Sequence, residues 1–174
     1  MKNKKLLWSF LIVIIIVVGC VGFYRYRQVN AHPQQYGVTK EQLFRKNELV
    51  KAYHVNFIVH EAAVKKSKDA VQAKVKFHIR QTGQPFYGER KNNPNFIENM
   101  YLNNPYGTSN PSIKLYDKSH HSINPYKALA NGKQPFTMDF TIPRYSYDMR
   151  NQKLRFSFLV PAKKHYVKYS LLLE

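Results

Sequence analysis

From Leu6 to Tyr24 the chain runs 19 residues without a single charge, dominated by Leu, Ile and Val. At about 1.5 Å per residue, a helix of that length nearly matches the roughly 30 Å hydrocarbon core of a bilayer. A helix buried in a soluble core keeps a polar stripe, and this run keeps none. Residues 6–24 therefore read as a transmembrane anchor or a lipoprotein signal segment, behind a basic tail at residues 1–5. Lys2, Lys4 and Lys5 precede the run, and Arg25 and Arg27 follow it. With the amino group added, the balance predicts an N-terminus inside the cell membrane and a C-terminal part outside it.

Two tethers fit this segment. Val17-Val18-Gly19-Cys20 resembles a bacterial lipobox, which would make Cys20 a lipidation site and residues 1–19 a cleaved leader. Each buried acyl methylene would then contribute about 0.8 kcal/mol to anchoring. In the second reading nothing is cut, and Trp8, Tyr24 and Tyr26 sit at the membrane interfaces. Lipoproteins usually pass into a small, polar tether after the cysteine, whereas Val21–Tyr24 remain apolar, which favours the uncut helix. Both readings put the following domain on the same side. Cys20 is the only cysteine, so no disulfide forms within the chain.

Residues 25–37, with Pro33 and several Gln, read as a stalk. Thr39 and Gln42 have capping-box spacing, so 38–44 could open a helix or lead into a sheet. Beyond that, period-2 alternation dominates and argues for half-buried strands. Val71, Ala73, Val75, Phe77 and Ile79 alternate with Gln72, Lys74, Lys76, His78 and Arg80. Similar patterns put Tyr53, Val55, Phe57 and Val59 on one face, then Phe136, Met138, Phe140 and Ile142. They continue with Leu154, Phe156, Phe158 and Val160, and end with Val167, Tyr169, Leu171 and Leu173. A shorter strand is expected at 112–117.

Without alternating helices, these strands predict an antiparallel, immunoglobulin-like β-sandwich over 38–174. The spacing suggests that 136–142 pairs with 154–160, and 154–160 with 165–173 across a short hairpin. Segment 92–111, rich in Asn and Pro, breaks the pattern and reads as a long loop with one or two helical turns after Pro94.

The basic tail, the anchor, "LFRKNELV", "AYHVNFIVHEA" and "AVQAKVKFHIRQTG" together resemble a group of small Gram-positive envelope proteins. These carry one immunoglobulin-like domain behind a lipobox or transmembrane helix. The resemblance implies an accessory or binding role and supplies no site residues.

Charge narrows the partners. The chain holds 28 Lys and Arg against 10 Asp and Glu, for a net +18; without Lys2, Lys4 and Lys5 the balance is +15. A field of that sign draws in anionic wall polymers, lipid headgroups or nucleic acid. Lys74, Lys76, His78 and Arg80 fall on one strand face about 6.5–7 Å apart and form a candidate polyanion-binding ladder, though solvated strand faces are commonly Lys-rich too. Phe96, Tyr101 and Tyr106 form a candidate recognition loop for sugars or a partner protein, unless they fold back onto the sandwich.

No catalytic set emerges. Asp117, Ser119, His120 and His121 carry triad chemistry, but neighbours on one turn seldom converge as nucleophile and base. Metal binding is not expected, because His54, His60, His78 and His165 lie on different predicted strands and zinc needs three or four ligands. No cofactor motif is present. The expected function is a non-enzymatic binding or accessory module. Surface nucleic-acid binding, for which no motif is found, and an unrecognised envelope enzyme are the alternatives.

Overall fold

The computed structural model describes residues 2–30, 37–87, 92–104, 107–109, 114–130, 134–149 and 153–173. The chain divides into two compact units, residues 1–37 and residues 38–174.

The first unit is one helix, α1 (Lys2–Asn30). Its span Phe10–Gln28 is long and apolar enough to cross a membrane, with a mean hydropathy of 1.9. A signal sequence would meet the same description. Cys20 is exposed on an unbroken helix. The stalk expected from Arg25 is helical as far as Asn30. No Gly or Pro interrupts that stretch, and the Arg25 guanidinium donates to Gln28 Oε1 at 3.1 Å one turn on.

The second unit is mainly β, in two sheets. The first sheet has the order β1 (Val38–Leu43), β11 (His165–Leu172), β10 (Arg155–Ala162), β5 (Met100–Asn104), β6 (Gly107–Thr108). The second runs β2 (Val50–Ala52), β3 (Val55–Lys66), β4 (Ala70–Gln81), β9 (Phe136–Pro143), β7 (Leu115–Tyr116), β8 (Ser122–Ile123). Among the described residues every pairing is antiparallel except β1 on β11.

The core is made by the alternating residues. Val71 to Ile79 on β4, Phe136 to Ile142 on β9 and Phe156 to Val160 on β10 are all buried at every second position. Rings interlock between the sheets: Phe57 meets Phe158 edge-on at 5.2 Å and Tyr169 at 5.7 Å, and Phe140 meets Phe156 at 5.7 Å. Tyr53 does not join this face, because it lies in the turn between β2 and β3.

Three expectations change, and one open choice is decided. Strands 136–142 and 154–160 are not partners: β9 and β10 belong to different sheets, and helix α3 (Arg144–Asp148) lies between them in sequence. Of the helix and the sheet that the sequence leaves open for this segment, residues 38–43 take the sheet, as a strand. Pairing with β11 and an ion pair from Glu41 to Lys168 outweigh the capping-box spacing. The Asn-rich segment contains a 3₁₀ turn at Phe96–Asn99, as the helical spacing suggested, but also β5 in mid-sheet, with Met100 and Leu102 buried. Of the strand expected at 112–117, Leu115–Tyr116 is extended, while 112 and 113 lie outside the described residues. Helix α2 (Pro125–Ala130) had no counterpart in the sequence reading.

On β3 the pairing register with β4 shifts between Val59 and Glu61. Burial changes phase there, from Val55, Phe57 and Val59 to the partly buried Ala62 and Val64. His60 is the extra residue of a β-bulge.

Candidate functional site

At one end of the sandwich the β2–β3 turn, the segment after β4 and the β10–β11 turn enclose a pocket of about 450 Å³. The β2–β3 turn is docked first. His54 has φ 60°, and its carbonyl accepts the backbone N–H of Thr82 at 2.8 Å and of Gly83 at 3.2 Å. A Cβ at Gly83 would lie 2.6 Å from His54 Cγ, so only glycine allows this approach. His54 Nδ1 lies 3.3 Å from the Gln84 carbonyl, and the Tyr53 ring stacks on the imidazole at 4.0 Å.

The floor is Tyr87, buried, stacked on Phe158 and edge-on to Phe96. Its hydroxyl donates to Gln81 Oε1 at 3.2 Å, and burial pushes the phenol well above its ordinary range. It is a neutral hydrogen-bonding group at any physiological pH. Gln84 reaches the Asn92 side-chain oxygen, and Phe86, Val160, Pro161 and Lys163 complete the wall.

Five described non-glycine residues have positive φ, and three of them, His54, Asn92 and Lys163, line this one pocket. Such positions usually take Gly, or Asn and Asp, because a Cβ costs about 1–2 kcal/mol there. A His and a Lys in those places present side chains that glycine would omit. The described lining combines aromatic faces, three amides and one ammonium, and includes no carboxylate. It is equipped to stack and hydrogen-bond a polar ligand and to neutralise one anionic group.

The expected ladder lies together on the outward face of β4, but it is not uniformly cationic. Lys76 Nζ is 3.3 Å from Glu61 Oε1. Lys74 stands opposite Asp139 on β9, and Arg80 opposite Asn56 on β3. His78 meets the bulged His60, with His60 Nε2 and His78 Nδ1 2.5 Å apart. These two imidazoles, Asn47, Glu61, Lys76, Lys118 and Pro135 border an open groove.

The candidate recognition loop is divided. Phe96 is fully buried against Phe77 and Tyr87, so it presents no ring to a ligand. Tyr101 is half-buried on β5, its phenol raised by burial and then by Glu41. Tyr106 lies outside the described residues. The Asp117–Ser122 stretch forms the β7–β8 hairpin turn: Asp117 Oδ1 accepts the N–H of Ser119 at 2.8 Å and of His121 at 2.9 Å. Among the described residues no three His, Cys, Asp or Glu side chains group as metal ligands.

Reading the sequence missed Tyr53, His54, Gln84, Phe86 and Lys163, because a site built from three separated turns leaves no local spacing. Gly83 after β4 was the one visible sign of a close approach. No family model matches the chain, and no similar curated protein or solved structure is found.

Proposed function

We propose that the chain is a membrane-anchored extracytoplasmic binding module, non-enzymatic, whose end pocket takes a segment of an anionic envelope polymer. Lys2, Lys4 and Lys5 on one side of the span support the outward placement of the domain. The apolar run Val21–Tyr24 after Cys20, where a lipoprotein usually passes into a small, polar tether, favours the uncut anchor over a lipid on Cys20. The strand orders β3-β4-β9-β7 and β11-β10-β5 support the immunoglobulin-like reading, since they match the ABED and GFC orders of that sandwich. The observation that carries the binding role is the convergence of three left-handed side chains on one pocket. Domain charge brings the polymer near, and Lys163 holds one of its anionic groups.

Full-length protein in detergent, titrated with a poly(glycerol phosphate) chain and with a neutral glucan, tests this reading. Expected is binding to the polyanion alone, weaker with added salt, and reduced about tenfold by Lys163→Glu, a loss of roughly 1.4 kcal/mol. Lys74→Glu should change it far less. No binding at low ionic strength contradicts the polymer as ligand, and equal losses in the two variants contradict the pocket.

A further inference from the structure

His60 and His78 are built to face each other. The bulge at His60 puts its ring on the outer face beside β4, where His78 stands opposite Ile58. The rings cross at 82°, with 4.7 Å between centroids, and the nitrogens His60 Nε2 and His78 Nδ1 meet at 2.5 Å. Asn47, itself at φ 63°, is fixed by its N–H to the Val59 carbonyl at 2.8 Å. From there its side-chain oxygen lies 3.2 Å from His60 Nδ1. When His60 Nδ1–H donates to that oxygen, the Nε2 lone pair is aimed at His78. An amide that fixes the tautomer of one imidazole and points its other nitrogen at a shared position is the usual support for a metal ligand.

We infer that His60 Nε2 and His78 Nδ1 together bind a first-row divalent transition-metal ion, Cu²⁺ most tightly, as an open two-imidazole site. The inference is independent of the end pocket and of its ligand.

At an N–metal–N angle near 90°, a metal roughly 2.0–2.1 Å from each nitrogen sets them about 3 Å apart, so the rings need to open by well under 1 Å and turn until both lone pairs converge on the ion. On metal binding each imidazole ligates through the nitrogen that faces the other ring, with its N–H on the far nitrogen. Among the described residues no third His, Cys, Asp or Glu joins the pair, so the remaining coordination positions go to water or an anion. Imidazole ligation and the Irving–Williams order then favour Cu²⁺ over Ni²⁺ and Zn²⁺. Lys76 and Lys118 at the groove oppose a bare cation, but neither blocks coordination by neutral nitrogens, and Lys76 is engaged by Glu61.

Full-length protein titrated with Cu²⁺ at pH 7.5, followed by calorimetry and by electron paramagnetic resonance at one equivalent, tests this. Expected is one site whose spectrum shows two equatorial imidazole nitrogens. His60→Gln and His78→Gln should each weaken it at least tenfold, and Asn47→Gly, which keeps the left-handed backbone, roughly tenfold. His120→Gln and His121→Gln should leave it unchanged. Thermal melts of each variant separate loss of the site from loss of the fold. No binding up to about 0.1 mM Cu²⁺ overturns the inference. So does an undiminished two-nitrogen signal in folded His60→Gln or His78→Gln.

Discussion

Lys163 is held at φ 61° in the β10–β11 turn with its side chain on the rim of the end pocket. Glycine there relieves backbone strain and removes the ammonium at once. Lys163→Gly is therefore expected to leave stability unchanged or raise it by up to about 1 kcal/mol while weakening polymer binding, a stability–function trade. Thermal melts and titrations of the same protein check both. Gly83→Ala should act the other way: its Cβ would lie 2.6 Å from the His54 ring, so ring or backbone must shift, costing about 1–3 kcal/mol. His60 makes a pH claim. Its pKa is lowered by burial first, then by His78 and Lys76, with Glu61 opposing. As pH falls below about 6.5 the unfolded chain takes up the proton first, so stability declines on the acid side. His60→Gln should flatten the melting temperature between about pH 7.5 and 5.5 relative to the parent. At this scale the sequence was legible for inward residues such as Val75 and Phe140, whose burial follows from alternation alone. His54, Asn92 and Lys163 were not, because positive φ at a non-glycine leaves no compositional mark.

Strand β1 shows how an element is decided by its partner rather than by its own letters. Six residues with a helix-start spacing lie instead against β11, where Ser170 Oγ donates to Glu41 Oε1 at 2.7 Å. Arg155 at 3.1 Å and Lys168 at 3.3 Å reach the same oxygen. The Ser170 hydrogen bond first, and then Lys168 and Arg155, hold the Glu41 carboxyl below its ordinary range against the opposing effect of burial. A lowered carboxylate pKa stabilises above the unfolded value, and that share disappears as pH falls through the folded one. Glu41→Ala should cost roughly 1–2 kcal/mol near neutral pH, less at pH 3, and should speed amide exchange along 38–43. Strand β5 was hidden for a related reason. Only Met100 and Leu102 alternate within a run of Asn and Pro, and the neighbours that make it a central strand, β10 and β6, are distant or very short. Phe96, just before it, is a core ring, so Phe96→Ala should cost about 3–5 kcal/mol in a melt, an effect beyond that of losing a surface contact.

For the molecule as a whole, the long apolar helix and the β class were legible early, because an uncharged 19-residue run and repeated period-2 patterns each admit few structures. Strand order was not. The 136–142 and 154–160 segments look like a hairpin in sequence, yet β9 and β10 face each other from opposite sheets through Phe140 and Phe156. The charge ladder on β4 was legible as a face but not as a field, since Glu61 and Asp139 come from other strands. Intact-mass analysis of membrane-extracted protein should return the uncut chain, whereas loss of residues 1–19 with a mass gain on Cys20 would establish the lipid tether. The binding claim is tested most directly by hydrogen exchange on full-length protein with and without poly(glycerol phosphate). Protection should rise at Tyr53–His54, Gln81–Tyr87 and 160–164, and stay level along the outer face of β4. Protection confined to Lys74–Arg80, or spread evenly over the domain, would contradict a pocket-borne binding function.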